Sequence, residues 1–130
     1  MSEEILKDSV NVADEVIALT AGISASRVKG VASMATGITD SIRKNILRSD
    51  VHEGVRISRE GEKQALIIDL HVNVVFGYRI PEVAWEIQET VRSDVLQLVG
   101  ETAKAVNIFV EGVEFVEYNE TEGEDHNEKK

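Results

Sequence analysis

Cysteine is absent from the 130-residue chain, which excludes a disulfide framework, a cysteine-ligated zinc site and a thiol nucleophile. No apolar run approaches the roughly 18 residues needed to span a bilayer. The N-terminus, MSEEILKDSV, has neither the basic start nor the long apolar stretch of a secretory signal. Glycine motifs that cradle phosphate are missing too: neither G-x-x-x-x-G-K-S/T nor G-x-G-x-x-G occurs. His52, His71 and His126 lie far apart, and none falls in a ligand-spaced motif with a second histidine. Basic charge is scarce, with 14 Lys+Arg against 24 Asp+Glu, a net charge of −10 and a sequence pI of about 4.7. That balance argues against a general affinity for nucleic-acid phosphates or anionic lipid. The expectation is a soluble, acidic, single-domain protein with no cofactor or metal motif, long enough to bury a core unaided.

The charge is unevenly placed. The last 14 residues, 117–130 (EYNETEGEDHNEKK), hold six acids and two lysines with one aromatic and no aliphatic residue. Such a segment cannot bury enough apolar surface to offset the entropy of ordering, and it reads as a disordered acidic tail. The stretch SIRKNILR at 41–48 runs the other way, with Arg43, Lys44 and Arg48 forming the densest positive cluster in the chain.

Periodicity divides the remainder into elements. Residues 11–28 predict a helix with Val12, Val16, Leu19 and Ile23 as its apolar stripe, widened by Ala13 and Ile17. Asn11 would cap it, and Gly30 would stop it. Ala18, Ala21, Gly22 and Ala25 would let another backbone approach closely. Within 31–53, a short helix could start at Thr39 or Asp40 and carry Ile38, Ile42 and Ile46 on one face. Val55–Arg59 predicts a strand, residues 60–63 a turn, and Ala65–Phe76 a long strand. That strand sets Leu66, Ile68, Leu70, Val72, Val74 and Phe76 against Ile67, Asp69, His71, Asn73 and Val75. Pro81 opens a second amphipathic helix with Ile80, Val83, Ala84, Ile87, Val91, Val95 and Leu98 as its stripe and Gly100 as its end. A last strand covers Ala105–Val110, and Gly112 marks a bulge or bend. The fold class that buries every stripe is α+β: two amphipathic helices on one face of a small three-stranded mixed sheet, in the order α, short α, β, β, α, β.

Little in this layout carries chemistry. Asp69, His71 and Asn73 alternate along one strand, with Arg56, Ser58, Asn107 and Glu111 able to lie across from them. A carboxylate-oriented imidazole is a common catalytic part, but no nucleophile is specified by spacing, and an open sheet face excludes little water. Solvated cross-strand polar pairs account for these residues, and no catalytic residue is assigned. A KH-type RNA-binding module would need a G-x-x-G loop, which is missing, so Arg43, Lys44 and Arg48 are the only basic footprint. Trp85 lies off its helix stripe, near Glu89, Arg92 and Leu96, either as an interface anchor or packed against the 31–53 segment. Arg43, Lys44, Arg48 and Trp85 are therefore the candidate partner-binding residues.

Three phrases together resemble the alkaline-shock family of Gram-positive bacteria, also called Gls-type general stress proteins. They are DEVIALTAGI followed by VKGV, then VNVVFGYRIPEVAWEIQ, and finally VNIFVEGV. The resemblance covers about residues 10–116. It divides the chain into an N-terminal extension at 1–9, an alkaline-shock-type domain at 10–116 and the tail at 117–130. It implies a non-enzymatic cytoplasmic protein of the envelope stress response. Such a protein would self-associate and be held at the inner face of the membrane by a membrane-anchored protein partner. It also implies an alternative, a regulator linked to fatty-acid or phospholipid synthesis through a protein or acidic-metabolite contact. Trp85 departs from the family pattern, which more often has a polar residue there.

Overall fold

The computed structural model describes residues 8–35 and 54–115. The expected short helix, the basic cluster at 43–48 and the acidic tail at 117–130 lie outside the described residues.

The chain runs through α1 (Asp14–Ser26), β1 (Val31–Met34), β2 (Val55–Glu60), β3 (Ala65–Val75), α2 (Ile80–Asp94) and β4 (Ala103–Glu114). A single π turn, Val95–Val99, extends α2 and ends at Gly100. This is the expected α+β class with a mixed sheet, but the sheet has four strands where three were expected. The added strand is β1, whose four residues, VASM, are too few to show an alternation in the sequence.

β3 organises the sheet. β4 pairs parallel with it along residues 66–75 and so occupies one of its edges. β2 pairs antiparallel with residues 65–70 and β1 antiparallel with residues 72–74, so both share the opposite edge, end to end. They meet at His71, whose N–H donates to the Gly54 carbonyl at 2.7 Å and whose carbonyl accepts from the Ala35 N–H at 2.8 Å. The chain thus leaves the sheet after Ala35 and rejoins it at Gly54, beside the point of departure. A β-carbon at Gly54 would lie 2.6 Å from the Ala35 carbonyl oxygen and 2.8 Å from that of His71, and its φ is +83°. Only glycine fits this crowded, left-handed position.

Alternation in β3 holds as the sequence predicts. Leu66, Ile68, Leu70, Val72 and Val74 are buried beneath the helices, while Ile67, Asp69, His71, Asn73 and Val75 are half-buried on the other face. Phe76 breaks the expected series and is 67% exposed, because the strand ends at Val75 and the chain turns at Gly77. The turn between β2 and β3 forms as expected, with Gln64 at φ +56° and its side-chain amide donating to the Gly61 carbonyl at 3.0 Å. The register of β4 slips where Val110 and Gly112 face Val72 and Asn73, which is the expected bulge.

α1 departs from its expected stripe. Its buried side is Ile17, Ala18, Ala21, Gly22, Ser24 and Ala25, whereas Val16 and Ile23 are 46% and 39% exposed. The small residues win because they admit a close approach to the sheet and to α2, where the Ser24 hydroxyl donates to Asp94 Oδ2 at 2.6 Å. The N-cap is Ala13, without a side-chain cap bond, in place of Asn11. In α2 the stripe holds at Val83, Ile87, Val91 and Val95, each fully or almost fully buried. At its ends Ile80 and Leu98 are exposed instead. The π turn accounts for Leu98: the Gly100 N–H reaches back to the Val95 carbonyl at 3.0 Å, which rotates the last turn and leaves Val99 against the core.

Arg59, at the end of β2, ties three elements together. Its guanidinium donates to Glu101 ahead of β4, to Asp14 at the start of α1 (2.9 Å) and to the Gln64 carbonyl (3.3 Å). The bonds to Glu101 and then Asp14 raise its pKa further above the usual arginine value, so it stays charged throughout the accessible pH range.

Candidate functional site

The open face of the sheet gathers polar residues that the sequence placed together, and Asp69, His71, Asn73, Asn107 and Glu111 each hydrogen-bond to another side chain there. Asn107 donates from Nδ2 to Asp69 Oδ1 at 2.8 Å, on neighbouring strands. His71 Nδ1 lies 2.7 Å from Glu111 Oε2, so an N–H on Nδ1 donates to that carboxylate. The imidazole also stacks on Phe109, with ring centroids 4.7 Å apart. Asn73 donates to the Ser33 hydroxyl at 3.1 Å, and that hydroxyl donates to Glu114 Oε2 at 2.8 Å, giving a chain that crosses β3 from β1 to β4. His71 is oriented by Glu111 across the parallel strand, not by Asp69 two residues away. No hydroxyl stands among the bonds made by the imidazole. Among the described residues no group of three or more His, Asp or Glu side chains could hold a metal ion. This face is a ladder of cross-strand pairs.

The outer surface of the helices is different in character. Trp85 projects from α2 and is 62% exposed, and Leu96 lies about three turns along the same side, about half exposed. Most of the indole is open, and most of the 31–53 segment against which it could pack lies outside the described residues. Arg43, Lys44 and Arg48 lie outside the described residues; the nearest described points are Ala35 and Gly54, side by side at the sheet edge. Reading the sequence missed the exposed side of α1, and the signal for it was present. Val16, Leu19 and Ile23 form an apolar stripe on a helix whose opposite side is also apolar. A second exposed apolar pair, Phe76 and Phe115, meets at the end of the sheet with ring centroids 6.1 Å apart.

Among the described residues no helix is long and apolar enough to cross a membrane. The geometry therefore defines an α+β domain with hydrogen-bonded polar pairs on its open sheet face and apolar groups exposed on its helices and at the end of its sheet. Residues 2–115 match the alkaline shock protein 23 (ASP23) family, described as having a cell envelope-related function, and the chain belongs to that family. This agrees with the resemblance seen in the sequence. Two similar proteins of Bacillus subtilis (strain 168), both uncharacterised, are YloU and YqhY. YloU is 34% identical over 106 residues, covering 80% of this chain and 87% of its own. YqhY is 34% identical over 110 residues, covering 82% and 77% respectively. A solved MamM CTD variant superposes with a TM-score of 0.48 at 19% identity, covering 78% of this chain and all of that one.

Proposed function

We propose that the protein is a non-enzymatic scaffold or adaptor of the cell envelope. In this reading it self-associates in the cytoplasm and is recruited to the inner face of the membrane by a membrane-anchored protein. The observation that carries this reading is the distribution of unsatisfied surface. Polar residues of the sheet face bond to one another in cross-strand pairs, while apolar groups stay exposed on the outside of the helices, Trp85 among them, and at the end of the sheet, at Phe76 and Phe115. A surface of that kind serves contacts rather than chemistry. Membership of an envelope-related family supports the cellular setting. Trp85 is the anchor for the membrane-bound partner, and Arg43, Lys44 and Arg48 supply a second, electrostatic contact with an acidic group on it.

The test is affinity capture of the full chain from native lysate, with the membrane fraction solubilised and bound proteins identified by mass spectrometry. The wild type should retain a membrane-spanning protein, and Trp85→Ala should lose at least tenfold of it. Capture of the same proteins by both would remove Trp85 from the contact. Recovery of no membrane protein by the wild type would remove the adaptor reading.

A further inference from the structure

The two-sided character of α1 identifies a second surface. A helix that is apolar all round is normally enclosed on every side, whereas a half-exposed one carries polar residues outward. α1 buries Ile17, Ala21 and Ala25 against the domain, yet Val16, Leu19 and Ile23 stand at roughly 180° to them on the helical wheel. Val16 and Ile23 are substantially exposed, and Leu19 is half-buried.

The ends of α1 carry opposite charge. Glu15 stands in its first turn and Arg27 directly after its last, whereas Asp14 is held by Arg59 on the inward side. Reversing the direction of one such helix against another therefore sets acidic end beside basic end at both extremities, and it also opposes the two helix dipoles. A two-fold axis at the level of Ala21 brings Leu19 against Ile23 of a second copy, and the reverse. The surface is thus complementary to itself, as a closed two-fold contact requires.

We propose that the outward face of α1 is the surface through which two copies of this chain associate, packed antiparallel about that axis. The inference rests on the self-association in the proposed function and names the face responsible for it.

Sedimentation equilibrium of the purified full chain tests it, with circular dichroism confirming that each variant folds. Ile23→Glu should weaken association at least tenfold. Glu15→Arg and Arg27→Glu should each weaken it, and the two together should restore it, because an antiparallel axis at Ala21 sets Glu15 of one copy against Arg27 of the other. A wild type that associates equally with Ile23→Glu, or a double variant no better than either single one, overturns this surface while leaving self-association standing. A wild type that remains monomeric at high concentration removes self-association itself. A monomer whose melting temperature falls on Ile23→Glu would show that the face is covered from within one chain, which also overturns the proposal.

Discussion

Gly54 and His71 show how much can hang on a single backbone position. Gly54 sits between two carbonyl oxygens in a left-handed conformation, so Gly54→Ala combines steric overlap with backbone strain. The expected cost is about 2 to 4 kcal/mol, seen as a fall in melting temperature on the order of 10 °C. His71 uses its backbone to close the join between β1 and β2 and its side chain to meet Glu111 and Phe109. The sequence shows that Asp69, His71 and Asn73 share a face, because period-two alternation depends only on the strand. It does not show that His71 meets Glu111, since that pairing depends on the register of a parallel strand reached through a whole helix. Trp85 was legible as a residue off its stripe, and its exposure agrees with that reading.

For whole elements, legibility followed the strength and length of the pattern. β3 and α2 were read almost to their ends because each carries five or four successive large apolar residues in strict period. β1 was missed because four residues cannot display a period. α1 was recognised as a helix, but its buried side was misassigned. Hydrophobicity ranks Val16 and Ile23 above Ala21 and Ala25, yet close packing selects the smaller side chains. Ala21 is fully buried at the close approach of α1, so Ala21→Leu adds volume where none is available. Chemical denaturation should report a loss of about 1 to 3 kcal/mol, although leucine is more hydrophobic and nearly as good a helix former.

Across the whole molecule, the net charge of −10 conceals an ordered arrangement. Arg59 gathers Asp14 and Glu101 from opposite ends of the sequence order and joins α1, β2 and the approach to β4. Arg59→Met would leave those two carboxylates facing each other without a cation. It should lower stability by about 1 to 2 kcal/mol in urea titrations, with the difference shrinking as salt rises.

The end-to-end seating of β1 and β2 on one edge of β3 has a thermodynamic consequence. Because the chain departs at Ala35 and returns at Gly54 with both anchors bonded to His71, residues 36–53 span a gap that is already closed. The entropy of closing a loop grows only slowly with its length, by about 0.6 kcal/mol per doubling. The seating of β1 and β2 on this edge is thus set by the described anchors at Ala35 and Gly54 and not by the number of residues between them.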